Sequence, residues 1–281
     1  MGERRSTTRS RDLGTELTRI RKAAGLDAKV LAEKLGWPGS KLSRIEQGKQ
    51  GIEDIELVAL LTVCDALGDN MTRLLTLNRE SSQANWLQMF ERRPSSHART
   101  LDIEIARGTA LTYYAFGLLP GMVQTEGYMR ALIRPAEDEA IARRLARQKM
   151  LRGPRSMTAT FFIEEQVLRR PVGGPAVMHD QLLRLVFLSH WRRVSIRVVP
   201  TSAGTHAAVD GGFFLLDNSE DRPIVHLETK IARIWLEDPA KVAVYREAAA
   251  ELTDVALSEG ASREFLTLMA DDYGRSLETH D

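Results

Sequence analysis

A single cysteine, Cys64, occurs in 281 residues. No intrachain disulfide can form, so a disulfide-stapled secreted scaffold is excluded and a reducing compartment, the cytoplasm, is expected. Lying in an apolar helical run, Cys64 reads as a small buried hydrophobe. No apolar stretch approaches the roughly 18 residues that a membrane-spanning helix needs. The start, GERRSTTRSRD, carries charge with no apolar segment behind it, unlike a secretory signal. Catalytic patterns are missing as well. The six histidines (His97, His179, His190, His206, His226 and His280) stand in no metal-binding spacing such as HExxH, and one cysteine cannot make CxxC. There is no Gly-x-Ser-x-Gly, and the pairs Gly173-Gly174 and Gly211-Gly212 lack a phosphate-loop or dinucleotide pattern. We therefore expect no enzyme, no bound metal and no cofactor.

Net charge is also small, +1, but it is unevenly placed. Residues 1–50 hold twelve Lys/Arg against six Asp/Glu, and the remainder 27 against 32. A basic front end on a mildly acidic body suits a polyanion, above all double-stranded DNA, as partner of the front end. The length suffices for two domains.

Within the basic part, LDAKVLAEKLGWPGSKLSRIEQG (Leu26 to Gly48) reads as two short helices joined by a turn at Gly36-Trp37. Val30, Leu31, Ala32 and Leu35 of the first would face a core. The second would start near Pro38, whose fixed φ and missing N–H suit a first helical turn. Leu42 and Ile45, three apart, share its buried side. Gly39, Ser40, Lys41, Ser43 and Arg44 are left on the other, a face that can enter a DNA major groove and meet base edges. Around this pair, a helix from an Asp12 N-cap to Ala24 carries Leu13, Leu17, Ile20 and Ala24 on one stripe, with Gly25 ending it. A fourth (about Ile52 to Leu67) would bury Ile55, Val58, Leu61 and Leu67, and a fifth (Met71 to Leu77) Leu74 and Leu75. Residues 1–11 read as a flexible basic tail.

The motif Leu31-Ala32 with Leu35-Gly36, then Leu42-Ser43-Arg44-Ile45-Glu46-Gln47-Gly48-Lys49, resembles the Xre-type, lambda-repressor-like helix-turn-helix over roughly residues 12–77. The resemblance implies that Arg21 of helix one pairs with Glu46 as a structural ion pair. It implies base reading by Gly39, Ser40, Lys41, Ser43 and Arg44, and phosphate contacts by Lys49 and Gln50. The family usually carries glutamine near the start of the first motif helix. Here that position is Ala28, leaving the phosphate to Lys29 or to the helix's own N–H groups.

Residues 78–97 read as a connecting helix and linker, with Trp86, Leu87 and Phe90 on the helix and a break at Arg93-Pro94-Ser95-Ser96. Residues 98–281 read as a mixed α/β domain. Strand-like runs fall at Ala110 to Phe116, Met157 to Ile163, Val194 to Val199, Phe213 to Leu216, Ile224 to Leu227 and Ile231 to Leu236. Helical stretches stand at Leu101 to Arg107, after Thr125, at Glu137 to Leu151, after Gly173-Gly174-Pro175, and twice after Pro239. The arginines of Glu137 to Leu151 read chiefly as a solvated surface, with anion binding as the other reading. Turn chemistry places a possible effector pocket at Pro120, Gln124, Glu164, Gly173, Gly174 and His206.

The segments GLLPGMVQTEGYMRAL, FFIEEQVLRRPVGGPAVMHDQLLRL and ALSEGASREFL resemble the uncharacterised C-terminal domain attached to Xre-type modules in an actinobacterial regulator group. That resemblance implies antitoxin-like or developmental regulators, often encoded beside a small partner protein. The expected function is a transcriptional regulator binding an inverted repeat as a homodimer, modulated through the C-terminal domain. An antitoxin-like sequestering protein and a small-molecule-sensing repressor are the other readings.

Overall fold

The computed structural model describes residues 6–89, 97–133, 138–152, 157–219 and 221–278. These form two compact units, one through Trp86 and one from Leu87 onward, residues 221–222 grouping with the first.

The first unit holds five helices: α1 (Thr8–Ala23), α2 (Ala28–Lys34), α3 (Gly39–Glu46), α4 (Asp54–Val63) and α5 (Asp69–Glu80). Each turns apolar residues inward, and Leu17, Leu31, Leu42, Leu57, Leu60, Leu61 and Leu74 are fully buried where the helices meet. Burying one such leucine stabilises the fold by about 1.5–3 kcal/mol. Cys64 lies in this core, where burial pushes its thiol pKa up.

Several sequence expectations are corrected here. α1 begins at Thr8, not Asp12. Thr7 is its cap, its hydroxyl accepting from the Ser10 N–H while the Ser10 hydroxyl accepts from the Thr7 N–H. This reciprocal box satisfies two otherwise orphaned donors, so residues 8–11 of the expected flexible tail are helical and Thr8 and Arg11 are buried. Residues 1–5 of that tail lie outside the described residues. α4 turns Leu57, Leu60 and Leu61 inward and leaves Ile55 80% exposed and Val58 half-buried; it ends at Val63, so Leu67 lies beyond it and is exposed. The run is apolar all round, so its phase is set by packing and not by its own pattern. Val30 is likewise exposed, one position off the buried Leu31-Ala32. Among the described residues the connecting helix does not form. α5 runs on to Glu80, and Asn85–Met89 is a strand, β1, with Trp86 and Gln88 buried and Leu87 and Met89 exposed. That alternation has the period of a strand. Phe90 and the break at Arg93 to Ser96 lie outside the described residues.

The rest of the chain builds α6 (His97–Arg107), β2 (Gly108–Ala115), α7 (Glu126–Leu132), α8 (Asp138–Gln148), β3 (Thr158–Glu164), α9 (Glu165–Arg169), α10 (Pro175–Leu188), β4 (Val194–Val199), β5 (Phe213–Asn218), β6 (Ile224–Glu228), β7 (Ala232–Leu236), α11 (Pro239–Val255) and α12 (Glu259–Glu278). The sheet order is β1-β7-β6-β5-β2-β3-β4. β2, β3 and β4 are mutually parallel, and β5, β6 and β7 join by antiparallel pairing. β3, between two parallel neighbours, buries nearly every residue, as strands covered on both faces do.

Successive residues of a strand point to opposite faces. One face carries Tyr114, Phe162, Phe213, Leu215 and Val225 against Val242, Ala248 and Leu252 of α11. On the other, the register aligns Phe161, Tyr113, Phe214, His226 and Trp235 directly opposite one another across five strands. Neighbouring ring centroids in this row are 6.4, 5.9, 6.0 and 4.5 Å apart.

Candidate nucleic-acid interface and effector cavity

In the first unit, α2 and α3 form two helices across a tight turn. Both end in one way. The N–H of Gly36 bonds to the Glu33 carbonyl and that of Trp37 to Ala32; the N–H of Gly48 bonds to Ile45 and that of Lys49 to Arg44. Each pair closes a Schellman cap, which needs a left-handed residue, and Gly36 and Gly48 supply it at φ 66° and 71°. α1 crosses α3 with Gly14 against the Glu46 backbone, a contact close enough that a Cβ would collide.

An ion pair fixes the same crossing. Arg21 donates from Nε to Glu46 Oε1 (2.6 Å) and from its terminal nitrogens to Glu46 Oε2 (3.0 Å) and the Leu26 carbonyl (2.9 Å). Hydrogen bonding to Glu46 raises the Arg21 pKa, ahead of the opposing effect of burial. The guanidinium thus joins α1, the loop before α2 and the end of α3.

With Leu42 and Ile45 turned inward, α3 leaves Gly39, Ser40, Ser43 and Arg44 exposed. The Ser43 hydroxyl accepts from the Gln47 amide at 3.0 Å, so Gln47 shares this face, a neighbour that the sequence reading passed over. Lys41 is placed differently. It is half-buried, its ammonium bonded to Glu56 of α4 and lying 4.7 Å from the Trp37 ring centroid. Of the five candidate base readers, then, four are open and one is engaged. Lys29 is exposed on the first turn of α2, and Lys49 and Gln50 are half-buried just past α3.

In the second unit the pocket candidates separate by strand parity. Pro120 and Gln124 line a cavity of about 610 Å³ at the carboxyl end of β2, on the aromatic-row face. Crevices at such strand ends are common ligand sites in open α/β sheets. Glu164 and His206 are instead a buried cluster beside Tyr114, on the face that α11 covers. The Tyr114 hydroxyl donates to Glu164 at 2.6 Å, His206 Nε2 meets the same oxygen at 3.1 Å, and His206 Nδ1 accepts from the Ala208 N–H. Burial first, then Glu164, pushes the Tyr114 pKa up. Gly173 and Gly174 do not line the cavity. Gly173 lies against Ala131 and Val177 at the start of α10.

Three glutamines brace the Leu119 to Thr125 loop. Gln124 donates to the Leu119 carbonyl, Gln148 to the carbonyls of Gly121 and Gln124, and Gln181 both donates to Val123 and accepts from the Thr125 N–H. The loop GLLPGMVQT is therefore held by side chains of α8 and α10, and through Gln181 the first two segments quoted above for their resemblance are partners in space.

Arg144, Arg147, His226, Glu228 and Arg233 also line the cavity; the sequence reading gave the arginines of α8 anion binding only as a second reading and passed over the other three. A signal existed for the two on α8. Arg144 stands three residues after Ile141, the buried position of α8, and Arg147 three after Arg144, so each neighbours the one before it on the helix surface. Arg143 is paired with Glu139, one turn earlier on the same helix. His226 is 5% exposed; burial, then the charges of Arg233 and Arg147, lower its pKa to about 3, so its imidazole is neutral. Among the described residues no group of three or more His, Cys, Asp or Glu is placed to hold a metal ion, and no helix is long and apolar enough to cross a membrane.

These arrangements define a two-part protein, an all-helical helix-turn-helix module followed by an α/β domain. Residues 12–75 match a helix-turn-helix domain. Residues 98–268 match the family described as a domain of unknown function, DUF5753, and the chain belongs to that family. No curated protein matches. Among solved structures, one of TrmBL2, an archaeal chromatin protein described with a novel mode of DNA binding, aligns at 12% identity and a TM-score of 0.31, over 72% of this chain and 64% of its own. So distant a likeness carries no argument here.

Proposed function

We propose that the protein is a cytoplasmic, sequence-specific DNA-binding transcriptional regulator of Xre type, not an enzyme, working as a homodimer on an inverted repeat. The observation that carries this reading is the open face of α3. Gly39, Ser40, Ser43 and Arg44 are exposed together on a helix whose opposite side is locked into the core and whose end is clamped by Arg21 and Glu46. Small residues let a helix approach bases closely, and a guanidinium can meet O6 and N7 of guanine together. Lys29, Lys49 and Gln50 flank the face where phosphates would lie.

One short recognition helix covers few base pairs, which favours two copies on half-sites about 34 Å apart, or a multiple. Selection of bound duplexes from a random pool tests this. The expected result is an enriched inverted repeat with that spacing. Enrichment of nothing beyond random sequence would overturn the reading.

The cavity of the second unit supports modulation by a small molecule, the sensing variant of the same function.

A further inference from the structure

The cavity has an aromatic floor, an apolar wall and a lining of charged groups, Arg144, Arg147 and Arg233 with Glu228 and Asp210, in which one guanidinium has no ion-pair partner among the described residues. Its floor is the aromatic row, with Tyr113, Phe214 and His226 side by side across β2, β5 and β6. Apolar side chains of α6, Leu101 and Ile105, add to the wall, and α8 contributes two guanidinium groups. At about 610 Å³ it falls within the range of small-molecule sites.

Two of the three arginines at the cavity have carboxylate partners: Arg147 pairs with Asp102 at 3.2 Å and Arg233 with Glu228 at 2.9 Å. Arg144 differs. It donates to the neutral amide oxygen of Gln124 at 3.3 Å, and no carboxylate of the described residues lies within ion-pair distance of it. His226 Nε2, buried in the floor, has no hydrogen-bond partner among the described residues. Buried polar atoms are rarely left unpaired, and a half-desolvated guanidinium favours an anion.

We propose that this cavity binds a small organic monoanion, a carboxylate on an aromatic or alicyclic body, with its anionic group on Arg144 and its ring on Tyr113 and Phe214. One unmatched guanidinium calls for one negative charge. The aromatic floor, in which the Tyr113 and Phe214 rings stand edge to face at 90°, offers both a ring face and a ring edge to an aromatic or alicyclic body. His226 takes a hydrogen bond from, or gives one to, a polar atom of that body, since a neutral imidazole offers one donor and one acceptor. The site stands independently of whether the first unit binds DNA.

Two fluorescent probes of like shape test it on the full-length protein: 1-anilinonaphthalene-8-sulfonate, an aromatic monoanion, and N-phenyl-1-naphthylamine, the same body without the charge. The sulfonate is expected to bind saturably at one site per chain. R144Q should weaken it about tenfold or more, the contribution of one charge-assisted hydrogen bond, while leaving the neutral probe within about twofold. R144K, which keeps the charge, should retain most of the sulfonate affinity, and R192Q, at an exposed arginine away from the cavity, all of it. Absence of saturable binding, an unchanged sulfonate affinity in R144Q, or equal loss of both probes would overturn the proposal. Should R144Q fail to fold, loss of sulfonate binding in folded R144K would overturn it and retention would support it.

Discussion

At the scale of single residues, exposure and partnership decide which cations are free to act. Arg44 is open, whereas Lys41 would have to leave Glu56 and Trp37 to reach a base. Arg44→Ala is therefore expected to cost about 1–3 kcal/mol on the selected operator and to relax one base position. Lys49→Ala should weaken operator and random DNA alike and reduce the salt slope by about one. Binding isotherms over a salt series distinguish the two, and equal losses on both DNAs for Arg44→Ala would show that it reads no base. His226 gives a prediction about acid. Its folded pKa, about 3, lies below the 6.5 of an ordinary histidine. A group depressed in this way stabilises the fold above its unfolded pKa, and that stability is lost as pH falls from 6.5 towards 3. Melting temperatures of His226→Gln should fall less steeply over that window than those of the parent. Parallel curves would remove His226 from the acid response.

Elements were legible to the degree that their pattern had a single interpretation. Leu42 and Ile45 admit only one phase for α3, and Thr125 caps α7 as its position suggests, accepting from the Tyr128 N–H. α4 had no such signal, and β1 is too short and too mixed in composition to separate from a helix by sequence. Contacts between elements left still less trace. Gly14 illustrates this. Helix propensity alone would make Gly14→Ala stabilising by about 1 kcal/mol. The backbone of Glu46 lies where the new methyl would go, and two clamped helices cannot part freely. Overpacking of about 1–3 kcal/mol should win. Chemical denaturation is expected to show Gly14→Ala less stable than the parent, and greater stability would mean that α1 moves easily over α3.

For the whole molecule, the sequence by itself determined the two-part plan: a basic, helix-periodic front and a strand-and-helix body, both visible because local periodicity and charge are properties of neighbours in the chain. It also marked the outward side of α3, since a helix with two fixed inward residues has little choice about the rest. The cavity was decided only by tertiary structure. Pro120 and Gln124 belong to it while Glu164 and His206 face the other side of the sheet, a division set by strand register and parity. The row from Phe161 to Trp235 gathers one residue from each of five strands, and Arg144 gains its meaning from the carboxylate that its two companions have and it lacks. Such juxtapositions depend on long-range pairing, which no short window of sequence contains.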